Sequence, residues 1–152
     1  MKIIAAMSEN RVIGQGDGMP WDVPDEYQQY LEFVRGNTVL MGRRSFEIFG
    51  ADTTAAHVVV LSHRPQPARG AVVCQNLTEA LDAARSFGQP IFSCGGAKVY
   101  EQTIPLASEM LLSTIKGKFT GDRCFPDFDS RDWRVVDERE EEEYLFRRWV
   151  RS

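Results

Sequence analysis

Apolar residues gather in short runs along the chain: KIIAAM, TVLM, HVVVLS, AVVCQ, PIFSC and EMLLSTI, then WRVVDE and YLFRRWV near the end. The early runs are β-branched and apolar throughout instead of alternating, which is the pattern of strands covered on both faces. Between them the spacing turns helical. Pro24 suits a first helical turn, and Tyr27, Tyr30, Leu31 and Val34 recur behind it, predicting a helix over 24–34 with Asp22 as cap and Gly36 as stop. Further helices are predicted from Gly42 through Phe49, from Leu77 to Ser86 behind a Thr78-Glu79 start, and from Ala97 to Ile104, ended by Pro105.

Strand and helix alternate until about Glu109, after which only strands follow, the last two joined as a hairpin across the acidic run Glu138 to Glu143. The expected class is α/β: a mostly parallel central sheet of about eight strands, a C-terminal antiparallel hairpin edge and four flanking helices. With no repeat, low-complexity tract or linker, the expectation is one domain over 1–152.

Composition changes this picture by exclusion. At 152 residues with 43% apolar and 26% charged residues, the chain has the balance of a globule able to bury its own core. A net charge of -4 with scattered Lys and Arg argues against a nucleic-acid partner, and the acidic run reads as a solvated tip because like charges repel. Cys74, Cys94 and Cys124 are odd in number and lack C-x-x-C spacing, so neither a disulfide framework nor a metal site is expected. KIIAAM is too short for a signal-peptide core and no run approaches a membrane span. The expectation is a cytoplasmic monomer with a small-molecule substrate and no membrane partner.

Candidate chemistry sits at the ends of strands. IFSCGGAKVYEQ places two glycines between a strand and a helix, where backbone N–H groups can approach phosphate. VLMGRRS adds Arg43, Arg44 and Ser45 at a second such junction, and LSHRP ends a third strand. Together they suggest one polyphosphate site beyond the carboxyl ends of the strands, although the G-x-G-x-x-G fingerprint is absent. In GMPWDVPDEYQQYLE, Asp22 and Asp25 have uses at a helix start, but Glu26 shares a face with Tyr30 and Phe33 and needs a donor to offset its burial. Gly14, Gly16 and Gly18 just upstream could form a mobile lid.

MPW at 19–21, the helix acid at 26, MGR at 41–43, LS at 61–62, GG at 95–96 followed by VYEQ, and GDRCFPDF at 121–128 resemble dihydrofolate reductase, in the family's order from IIAAM to Tyr144-x-Phe146. The resemblance implies reduction of dihydrofolate by NADPH, with hydride transfer to C6 of the pterin and water supplying the proton to N5. It implies that Glu26 hydrogen-bonds the pterin's amidine edge, that the Ser113 hydroxyl supports this acid, and that Trp21 holds a bridging water. Ile4, Ala5, Ala6, Tyr27, Tyr30, Phe49, Cys94 and Tyr100 match substrate-pocket positions. The cofactor positions matched are Ala6, Ile13, Met19 as the lid residue, Gly42, Arg43, Arg44 and Ser45 around phosphate. Leu61, Ser62, His63 and Arg64 match the group at the extra phosphate, and Gly95, Gly96, Ala97, Lys98 and Val99 the glycine turn. Asp122 matches a partner that steadies the lid.

One departure stands out. The family's arginine for folate's glutamate tail falls in ADTTAAH, where Ala56 occupies the position, with His57 and Arg35 as nearby candidates for the role. Tyr30 and Thr53 also depart from the usual pocket wall. A same-fold reductase of another pteridine or pyrimidine, such as a riboflavin-pathway aminouracil, is the alternative on this ground; a catalytically silent nucleotide-binding protein is the third reading.

Overall fold

The computed structural model describes residues Met1–Ser152. The apolar runs form strands β1 (Lys2–Ser8), β3 (Thr38–Gly42), β4 (His57–Leu61), β5 (Val72–Cys74), β6 (Ile91–Ser93), β7 (Glu109–Ile115), β9 (Trp133–Glu140) and β10 (Tyr144–Arg151). They make an 8-stranded sheet in the order β5-β4-β3-β6-β1-β7-β10-β9. All pairs from β5 to β7 are parallel, while β10 runs antiparallel to β7 and to β9, as the alternation and its late change predict. Two strands escaped the sequence pattern: β2 (Val12–Gly14) and β8 (Arg123–Cys124) pair as a separate ribbon. The ribbon fits only because position 121 lacks a side chain, since a Cβ on Gly121 would lie 2.2 Å from Val12 Cγ1 and 2.6 Å from the Gly14 carbonyl oxygen.

Four α-helices flank the sheet: α1 (Pro24–Val34), α2 (Arg43–Phe49), α3 (Leu77–Ser86) and α4 (Ala97–Thr103). Their ends correct the expectations in detail. Asp22 does not cap α1. Val23 holds that place with no side-chain cap bond, and its carbonyl accepts from the N–H groups of Glu26 at 3.1 Å and Tyr27 at 3.2 Å. Pro24 brings no donor of its own to the first turn, so Asp22 is left outside and exposed. The cap of α3 is Asn76, not the Thr78-Glu79 pair: its Oδ1 accepts from Glu79 N–H at 2.9 Å, and Glu79 Oε2 accepts from Gln75 N–H at 3.4 Å. α4 ends at Thr103, ahead of Pro105 as expected, and Pro105 sits in a 3-10 turn over Ile104–Leu106.

The sheet is covered on both faces. Alternate residues of one strand enter different clusters: Val39, Met41, Val58 and Val60 pack with Val34 of α1, whereas Leu40 and Val59 pack with Ala80, Leu81 and Ala84 of α3. This two-sided burial is why the runs read as continuously apolar. At the acidic tip Glu142 and Glu143 are exposed, and Lys116 Nζ reaches Glu140 at 3.1 Å. β1 lies between β6 and β7, so α1 and α4 leave the sheet on either side of its carboxyl end and open a cleft there.

Candidate active site

The floor of this cleft is built by the end of β1 (Ile4, Ala5 and Ala6), by Tyr100 of α4 and by Glu26 of α1. Its walls are Tyr27 and Tyr30 of α1, Ser45, Ile48 and Phe49 of α2, and the Cys94-Gly95-Gly96 turn, with Ile13, Gly18 and Met19 at the mouth. Ile4, Ala5, Ala6, Glu26, Tyr27, Tyr30, Phe49, Cys94 and Tyr100 therefore line one cavity, whereas Thr53, also expected at the pocket wall, does not. Met41, Ile48 and Arg123 also line it and were missed, while Gly18 belongs to the segment expected as a lid. Ile48 lies one helical turn from Ser45, a spacing that could have found it.

Glu26 is the electrostatic centre. It is 5% exposed among apolar and aromatic walls. Burial pushes its carboxyl up to about 7, and the Ser113 hydroxyl facing it pulls the other way. Tyr100 donates its hydroxyl to the Ile4 carbonyl oxygen at 2.8 Å, and Gly95 has to be glycine here, with φ +99 and a Cβ position 3.1 Å from the Tyr100 ring. The hydroxyl of Tyr30 lies against the Cys94 thiol, and burial raises both groups' proton affinity, that of Cys94 to about 12. Trp21 does not line this cavity: it packs edge-on against Phe119, with ring centroids 5.6 Å apart, and lines an adjoining groove with Asp22, Phe49 and Asp52.

At the other end of the cleft the N-termini of α2 and α4 approach one another. A Cβ on Gly96 would lie 3.7 Å from Ser45 Oγ, and neither Gly42 nor Gly96 offers a side-chain cap, so first-turn N–H groups of both helices lack a side-chain acceptor. Arg43 Nε donates to Ser62 Oγ at 3.1 Å, and Arg43 Nη2 donates to the carbonyls of Arg64, at 3.4 Å, and Gln66. The structure thus ties together Arg43, Ser62 and Arg64, three of the residues expected at phosphate. His63 and Lys98 are exposed nearby, while Leu61 is half-buried and Val99 turns its side chain into the core, leaving only its backbone for a ligand. Arg44 turns away to the glycine-rich segment, donating to the Gly16 carbonyl at 3.0 Å and to Asp17 Oδ1 at 2.9 Å. From the opposite side Asp122 Oδ2 accepts from Gly16 N–H at 3.2 Å, and Arg123 Nη2 donates to the Gly16 carbonyl at 2.6 Å.

The two candidates for binding a glutamate tail are committed elsewhere. Arg35 pairs with Glu32 at 2.8 Å, and the His57 ring stacks on Phe87 with centroids 3.9 Å apart. Ala56 is exposed.

Comparison with known proteins agrees with this geometry. The family model described as dihydrofolate reductase matches residues 1–148. A dihydrofolate reductase of Bacillus subtilis is 32% identical over 137 residues, spanning 90% of this chain and 81% of that protein. A dihydrofolate reductase type A13 of Escherichia coli is 33% identical over 135 residues, spanning 88% and 82%. Among solved structures, a dihydrofolate reductase from Enterococcus faecalis complexed with NADP(H) and RAB-propyl superposes with a TM-score of 0.88 at 26% identity, covering 99% of this chain and 95% of that one.

Proposed function

The chain belongs to the dihydrofolate reductase family, and on that premise we propose that Glu26 is the acid on which its chemistry turns. The activity is NADPH-dependent reduction of 7,8-dihydrofolate to tetrahydrofolate, an oxidoreductase step of one-carbon metabolism. The observation that carries the residue assignment is the placement of one nearly buried carboxyl, raised by burial to about 7, at the floor of a mostly apolar cleft.

The phosphate end has a donor set that fits the cofactor: the uncapped starts of α2 and α4, with Arg43, Ser45, Ser62 and Arg64, offer N–H groups, hydroxyls and guanidinium to a polyphosphate. When bound, NADPH supplies the hydride that adds to C6 of the pterin's N5=C6 bond. Glu26 accepts from the N–H groups of the amidine edge and so sets the plane in which the ring lies. Ile4, Ala5, Ala6, Met19 and Phe49 exclude bulk water from the ring faces. With Glu26 engaged at that edge, solvent delivers the proton to N5. Asp122, Arg123 and Arg44 hold the 14–18 segment over the mouth.

The family match, together with an acid at the cleft floor, sets aside the aminouracil and silent-binder readings. No helix is long and apolar enough to cross a membrane. We also propose one domain over 1–152 acting as a monomer in the cytoplasm. Free cysteines Cys74, Cys94 and Cys124 support the compartment, and the scatter of exposed large apolar residues over Val72, Leu106, Val135 and Val136 supports the oligomeric state. Mixing the protein with NADPH and dihydrofolate and following nicotinamide absorbance tests the function; wild-type turnover that survives in Glu26→Gln would remove Glu26 from it.

A further inference from the structure

Gln29 stands one helical turn beyond Glu26 on α1, half-buried between that helix and the antiparallel end of the sheet. The two ends of its amide bond to different strands. Oε1 accepts from Arg139 Nη2 of β9 and from the Tyr144 hydroxyl of β10, the latter at 3.4 Å. Nε2 donates to Ser113 Oγ of β7 at 3.2 Å. A guanidinium has donors and no acceptor, so the end of the amide facing Arg139 must be the oxygen, and the NH₂ is thereby committed to Ser113. Once the Ser113 oxygen accepts that bond, its single proton is free to point to the Glu26 carboxyl that it faces. The bonds all run in one direction, from a surface cation to a buried acid, and each polarises the next.

We propose that Gln29 is a positioning residue for the reduction: held by Arg139 and Tyr144, it turns the Ser113 hydroxyl so that this group donates to Glu26. The inference rests on the reading of Glu26 as the acid that binds the pterin. The other polar groups around Glu26 have partners of their own. Tyr100 of α4 donates to the Ile4 carbonyl, and Tyr27 donates to Asp52 at 3.2 Å. Tyr30 lies against the Cys94 thiol, and Arg123, across the cleft, is bound to Asp122 and to the Gly16 carbonyl. Burial alone would leave the acid protonated over much of the neutral range, where it could not accept from the ring through both oxygens as an anion. A directed donor keeps the anion available.

The test is direct titration of the Glu26 carboxyl by infrared difference spectroscopy, assigned by its loss in Glu26→Gln, alongside the pH profile of single-turnover hydride transfer. Gln29→Met removes all three bonds without adding charge. Gln29→Glu keeps the size and an ion pair to Arg139 but presents an acceptor to Ser113, drawing that proton away from Glu26. Both variants should move the titration midpoint and the pH profile upward by about half a unit or more, Gln29→Glu the further. Arg139→Gln should shift them less in the same direction, and Arg139→Lys should restore the wild-type midpoint. Should one Gln29 variant fail to fold, the other and Arg139→Gln decide the matter. Midpoints that stay put or fall in the folded variants overturn the proposal. Full turnover by Glu26→Gln would instead overturn the assignment of Glu26, while the carboxyl titration would still report whether Gln29 directs Ser113.

Discussion

The hydroxyl of Tyr27 donates to Asp52 Oδ2 across 3.2 Å, which sets a carboxylate in the groove that adjoins the cleft and shares Tyr27 and Phe49 with it. No cation balances it there: Arg35 is paired with Glu32, His57 is stacked on Phe87, and position 56 is alanine. An anionic tail lying in that groove would meet like charge and no cationic partner.

Placing arginine at position 56 should therefore lower KM for dihydrofolate by roughly tenfold or more, the effect of a charged hydrogen bond of about 1.5–3 kcal/mol, with little change in kcat because the tail binds equally in ground and transition states. Steady-state kinetics with dihydrofolate and a tail-less dihydropterin check this. Only the tailed substrate should gain. A wild type that already favours the tailed substrate strongly would contradict it.

Glu26→Gln should keep the fold and NADPH binding and lose most hydride transfer at neutral pH. The amide preserves shape but cannot accept as an anion from the ring. Cofactor binding by fluorescence, set beside single-turnover absorbance, separates the two properties; a variant that lost both would point to misfolding instead.

The same substitution should have a pH-dependent effect on stability. The carboxyl of Glu26 is raised by burial from 4.5 to about 7, so its ionisation opposes folding. The stability it gives is fully present below the unfolded value and is lost as pH rises through the folded one. Relative to wild type, Glu26→Gln should gain on the order of 2–3 kcal/mol between about pH 4 and pH 8. Urea denaturation of both proteins at those two pH values measures it. A difference that does not grow with pH would mean that the acid is solvated.

Arg43, Ser62 and Arg64 are bound together at the phosphate end, and this grouping should give a preference for NADPH over NADH. Arg64→Ala should narrow the ratio of the two kcat/KM values by tenfold or so without changing kcat for NADPH. Near-equal use of the two cofactors by wild type would contradict the assignment.

The main sheet and its helices were legible in the sequence because two-sided burial writes itself as β-branched runs, and because Gly42 and the Gly95-Gly96 pair mark the strand-to-helix turns. What was not legible depends on partners distant in sequence. The β2–β8 ribbon has strands of 3 and 2 residues, too short for any pattern, and exists through the fit of Gly121 against Val12 and Gly14. The orientation of His57 is decided by Phe87, and that of Arg44 by Asp17. Asp22 has the right chemistry for a cap, and only the backbone shows that Val23 occupies the place. In the site, the aromatic and glycine positions were readable, whereas the amide of Gln29 looked like an ordinary surface glutamine until three strands were seen to meet it.

The place of β1 at the middle of the sheet governs how the chain can assemble. Lys2 and Ile3 pair with Phe92 and Ser93, and Lys2 through Ser8 pair with Glu109 through Ile115. β1 is therefore held by partners some ninety and more residues further along the chain, and β7 in turn by β10. Contacts so remote in sequence cost loop-closure entropy before they give anything back, which slows folding. The cleft at the end of β1 thus rests on contacts of the slowest-forming kind, and a ligand that fits it holds together segments that the chain order keeps far apart.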